Sequence, residues 1–166
     1  MAVKVSTKNK IPLLEKEFSL LNGKKVQVGV LGGGENTWLA GIHEYGCTIK
    51  VTDKMRKWLA ANGLHLKSTT KAIHIPERSF LRAGYDENIK NVLKNVDRLI
   101  KSVGNGMPVD SFCETIGELL ADEIKNYADE LSTPPKHPFT LKLHPDKTKL
   151  LVQSGDMINS ITYRVV

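Results

Sequence analysis

Residues 84–132 read GYDENIKNVLKNVDRLIKSVGNGMPVDSFCETIGELLADEIKNYADELS. In the first half, Ile89, Val92, Leu93, Val96, Leu99, Ile100 and Val103 recur at spacings of three and four, with mostly polar or charged residues between them. That period predicts an amphipathic helix from Gly84 to Val103, about 20 residues and about 30 Å long. Gly104-Asn105-Gly106 ends it, and Pro108 suits the first turn of a second helix. In that helix Val109, Phe112, Cys113, Ile116, Leu120, Ile124, Tyr127 and Leu131 form one face, and Asp110, Glu114, Glu118, Asp122 and Asp129 form the opposite one. Burying stripes of this kind contributes about 1.5–3 kcal/mol per large side chain. The two helices therefore anchor the core.

Strand patterns lie on both sides of this pair. Residues 24–31, KKVQVGVL, alternate with Val26, Val28 and Val30 on one side, and TIKVT at 48–52 alternates and is β-branched. AIHIP at 72–76 is a short strand stopped by its proline, and ITYRVV at 161–166 alternates again. The expected fold class is α+β: a small mixed or antiparallel sheet with the two long helices packed on one face. Shorter helices are predicted at about 12–21, from about 38 to 45 with Asn36 or Thr37 as cap, and from a Thr52 or Asp53 cap to Gly63. The last of these carries Met55, Trp58 and Leu59 as its apolar stripe. Prolines 134, 135, 138 and 145, with basic residues between them, predict a non-helical basic arm over 132–152. Ser154 is placed to cap a short helical turn after it. The whole chain, 1–166, is read as a single domain.

Composition narrows the class. Of 166 residues, 40% are apolar and 25% charged, the balance of an ordinary folded domain. No apolar run reaches the roughly 20 residues of a membrane helix, and MAVKVSTKNKIPLL has no apolar leader segment, so no membrane partner is expected. The net charge of +6 is divided. Residues 50–82 hold eight basic side chains against two acidic ones, and residues 108–131 hold seven acidic against one basic. A chain so polarised is suited to nucleic acid, to charged partners or to copies of itself. Within the basic segment, Lys54, Arg56 and Lys57 lie on the helix of Trp58 and form a candidate partner or phosphate-contacting face.

The stretch 28–46, VGVLGGGENTWLAGIHEYG, invites two chemical readings. As a dinucleotide turn it fails, because Thr37 stands where a third glycine is needed and no βαβ unit follows. As a zinc-protease helix it fails too: His43-Glu44 lacks a second histidine at 47, which is cysteine. Cys47 and Cys113 form no CxxC pair, and Cys113 falls on a core face. No nucleophile–base arrangement is legible. The expectation is a protein without catalytic, cofactor or metal residues, not an enzyme.

The pieces in order, GIHEYG, IPERSFLR, two long helices, a TPP segment and SGDMINSITYRV, resemble the virion morphogenesis family of tailed bacteriophages, the neck and tail-completion proteins. The residues that carry the resemblance are Ile42, His43, Glu44, Tyr45 and Gly46; Ile75, Pro76, Arg78, Phe80, Leu81 and Arg82; and Ser154, Gly155, Met157, Ser160, Ile161 and Tyr163. Glu77-Arg78-Ser79 departs from the commoner Ala-Arg-Pro, and Ser154 replaces the commoner threonine. The resemblance spans nearly the whole chain from residue 24. It implies a structural protein, made in the host cytoplasm and residing in the virion at the head–tail junction or tail end. It also implies self-association into a ring of six around the DNA channel, with other neck and tail proteins as partners. The alternative from charge alone is a small basic DNA-binding accessory protein. On the ring reading the acidic face of the second helix is a candidate interface or channel lining; read from composition alone it is a solvated face.

Overall fold

The computed structural model describes residues 11–152 and 154–166. Of the N-terminal stretch 1–14, expected to carry no apolar leader, residues 1–10 lie outside the described residues. The chain is α+β. In order, its elements are α1 (Ile11–Leu21), β1 (Val26–Val30), α2 (Glu35–Tyr45), β2 (Cys47–Lys50), α3 (Asp53–Ala61) and β3 (Ala72–Ile75), then α4 (Leu81–Gly104), α5 (Val109–Glu130), α6 (Pro138–Leu143), α7 (Asp156–Asn159) and β4 (Ile161–Val165).

The long helices α4 and α5 pack on each other, and α5 also carries the β1–β4 pair. The strands do not form one four-stranded sheet. Instead β1 pairs antiparallel with β4, Val28 opposite Tyr163, while β2 pairs antiparallel with β3, Ile49 opposite Ile73. Strand patterns in sequence specify a pleated, half-buried segment but not its partner. Here α2 separates β1 from β2 along the chain, so each finds a partner of its own.

Two buried clusters fill the fold. One gathers Phe80, Val92, Leu120, Ile124, Leu151, Met157 and Ile161, and the other Val103, Val109, Phe112 and Cys113. The face predicted for α5 is the buried one, and Gly117, Ala121 and Ala128 join it. At Gly117 an added Cβ would overlap the Tyr163 ring, so the missing side chain is what lets β4 lie against the helix. Two members of the predicted stripes are outside the core: Leu93 is 51% exposed and Trp58 is 54% exposed, the latter meeting Phe139 edge-on.

Helix starts also depart from expectation. The helix expected from 84 begins at Leu81, for a reason given below. The helix expected from 38 begins at Glu35, with Gly34 rather than Asn36 or Thr37 preceding it. Thr52 does cap α3, accepting from the Met55 N–H at 3.2 Å. Contrary to the non-helical expectation, the 132–152 arm contains α6. Pro138 occupies its first turn, where a missing N–H costs nothing, and the His137 ring accepts from the Phe139 N–H. Nor does the arm lie apart from the core, since Leu150 and Leu151 are buried in it.

Candidate functional site

The sequence segments GIHEYG and IPERSFLR meet at Glu44. Its side chain, on the last turn of α2, is almost fully buried at 2% exposure. One carboxylate oxygen accepts from the backbone N–H groups of Phe80 and Leu81, each at 2.9 Å. The other accepts from the Ser79 hydroxyl at 2.8 Å, the Arg82 N–H at 3.1 Å and the Arg82 guanidinium at 2.8 Å. Glu44 thus satisfies the orphan N–H groups at the start of α4 from a distant position in sequence and places its charge at the positive end of that helix. This is why α4 begins at Leu81 without a local side-chain cap. Burial pushes the Glu44 carboxyl up, but the hydrogen bonds from Leu81, Arg82 and Ser79 outweigh it and hold the group below the ordinary carboxylate value.

Arg82 closes this arrangement from outside. It also donates to the Glu44 carbonyl at 3.1 Å and to Glu77 at 2.7 Å, and its guanidinium lies 4.7 Å from the centre of the Tyr45 ring. Gly46 then turns the chain into β2 with φ +68°; a Cβ there would stand 2.8 Å from the Ile75 carbonyl oxygen and 2.9 Å from the Glu77 nitrogen. Pro76 is partly buried beside this contact. Phe80 is fully buried.

Arg78 serves the other side. Its backbone N–H donates to the His43 carbonyl at 2.7 Å, and its guanidinium donates to the carbonyls of Pro134 at 3.0 Å and Pro135 at 3.2 Å. Arg78 is buried, at 8% exposure, with no carboxylate bonded to it among the described residues. Burial lowers its affinity for the proton. Burial also lowers that of His43, helped by the nearby charges of Arg78 and Lys136. Lys136 donates to the carbonyls of Lys147 at 2.7 Å and Val152 at 3.4 Å, knitting the arm to itself. Between β3, Arg78 and the arm lies a cavity of about 450 Å³.

The third motif is structural at its start and packs at its end. The Ser154 hydroxyl accepts from the Asp156 N–H at 3.4 Å, Gly155 takes φ +93°, and the Ser160 hydroxyl donates to the Met157 carbonyl at 2.7 Å. Tyr163 lies over Gly117 and donates to Glu118 at 3.1 Å.

Asp110, Glu114, Glu118, Asp122 and Asp129 are all exposed along α5. Four are engaged within the chain: Asp110 with Lys24, Glu118 with Tyr163, Asp122 with Lys125 and Asp129 with Lys149. The three basic residues grouped on α3 divide. Lys54 and Lys57 are exposed, whereas the Arg56 guanidinium donates to the carbonyls of Leu66, Lys67 and Thr70 and braces the following loop.

No group of three metal-ligating side chains occurs among the described residues, and both cysteines are free. The cavity residues contributed by the arm were not singled out in sequence; the signal was the density of lysine and histidine in KHPFTLKLHPDK. Comparison with family models, with curated proteins and with solved structures finds no match to this chain.

Proposed function

We propose that the chain is a structural phage or prophage protein that acts in virion assembly, as a neck-ring or tail-completion component at the head–tail junction or the head-proximal end of the tail. The reading starts from the ordered resemblance of the three motifs. One observation supports it most: Glu44 of the first motif binds Ser79, Phe80, Leu81 and Arg82 of the second, so residues 35 positions and more apart act as one unit. Motif residues that depend on each other physically form a more specific signature than three short matches taken separately. In this reading the protein assembles as a ring of six, a heterologous arrangement in which two different patches of each copy must match. The exposed α5 acids supply one such patch, or line the channel where like charge lets DNA slide.

Electron microscopy of a lysate from a phage lacking this gene tests the proposal. Unjoined filled heads and tails, or tails of faulty length, are expected; normal infectious particles would overturn it. A second reading, a small DNA-binding accessory protein, draws on Lys54, Lys57 and Trp58, which are exposed at helical spacing on α3. It requires DNA affinity that falls steeply with salt.

A further inference from the structure

The cavity between β3 and the arm is strongly one-sided in charge. Arg78, His43 and Lys136 contribute to its wall, and His74, His137 and His144 also line it. Among the described residues no acidic side chain lines it. Buried cations are ordinarily paired with anions. Here Arg78 uses two of its five N–H groups on proline carbonyls, and the other three make no hydrogen bond among the described residues. The Nδ1 atom of His43 is buried and has no hydrogen-bond partner among the described residues. His74 and His137 each engage Nδ1 within the chain, with the Thr48 hydroxyl and the Phe139 N–H respectively, leaving Nε2 available to a ligand.

We propose that this cavity is a binding site for a small oxyanion, the phosphate or carboxylate group of a ligand, held by the Arg78 guanidinium and Lys136 ammonium with the histidines as further donors. A planar guanidinium with free N–H groups suits both anions in geometry. Its volume of about 450 Å³ exceeds what one phosphate needs, so a larger molecule or side chain bearing the group also fits. The proposal does not depend on the virion reading, because it rests only on the charge and hydrogen-bonding capacity of the cavity wall.

Binding and His43 protonation are linked. Burial, and then the positive charges of Arg78 and Lys136 that it faces, lower the proton affinity of His43. His74, His137, His144 and Lys147 complete the titratable lining. An anion placed among them offsets the repulsion, so it raises the His43 pKa; reciprocally, affinity rises as pH falls.

The test is a titration of the full chain, isotopically labelled, with inorganic phosphate at constant ionic strength, followed by NMR of the histidine rings and backbone. A parallel titration uses glutarate as a carboxylate probe. The expected result is saturable binding in the millimolar range or tighter, with shifts confined to the cavity and an upward shift of the His43 titration. Lys136→Met should weaken it at least tenfold, while Lys54→Gln with Lys57→Gln should change it less than twofold. Tighter binding of phosphate would assign the site to phosphate-bearing ligands, and tighter binding of glutarate to an acidic side chain. Failure of both probes to saturate, or shifts centred on α3, in the unmodified protein would overturn the proposal whatever the behaviour of the variants.

Discussion

Glu44 shows how a single buried charge can be an economical structural device. Its five hydrogen bonds include three from a helix start that has no local cap. Replacing it with alanine leaves those N–H groups and Arg82 without their acceptor. Glu44→Ala should therefore lower stability by about 3–5 kcal/mol, since each buried or half-buried N–H group left without an acceptor costs about 1–3 kcal/mol, measurable by urea denaturation. The pH dependence follows from the sign of its shift. The folded-state carboxyl lies below its unfolded value, so its stabilisation is fully present above about pH 4.3 and is lost as pH falls through the folded value. Acid unfolding of the natural chain should show this loss, and Glu44→Gln should flatten the pH dependence in that window. Gly46 makes an independent demand. With φ +68° and two backbone atoms within 3 Å of an added Cβ, Gly46→Ala should cost about 1–3 kcal/mol in the same assay.

At the scale of elements, the two long helices were legible because a 3.6-residue period sustained over five turns or more has few alternative explanations. Their faces were legible for the same reason, apart from Leu93 on α4. The start of α4 was not, since its cap lies on α2 and a local pattern cannot report a contact 36 residues away. Strands were legible as segments but not as pairs: β1 finds its partner at the far end of the chain. The helix in the arm was not legible, because prolines exclude helix interiors but favour first turns, which is where Pro138 lies. His43, Glu44, Arg78 and Arg82 were named from a motif, yet their division of labour appeared only in three dimensions. Glu44 and Arg82 fix a helix start, and Arg78 holds the arm. That second role predicts that Arg78→Ala, which removes charge-assisted bonds of about 1.5–3 kcal/mol each, frees the arm. Limited trypsin digestion should then cut after Lys136, Lys142 or Lys147 faster than in the natural chain, with α4 and α5 still protected.

For the whole molecule, the division of charge along the chain persists as an exposed acidic face on α5, although intrachain partners already engage much of it. If that face meets a neighbour or a DNA channel, reversing Glu114, Glu118 and Asp122 to lysine should leave the monomer folded but reduce the yield of complete particles; unchanged yield would exclude the face from assembly. The oxyanion cavity lies in a different part of the molecule, lined by β3, Arg78 and the arm, so its test is separable from that of assembly. The virion reading makes one claim that imaging can address directly. Cryo-electron microscopy of purified particles should reveal, at the head–tail junction or the head-proximal tail end, density for the α4–α5 pair repeated six times around the channel. Joined, infectious particles with no copy of this chain at either place would contradict it.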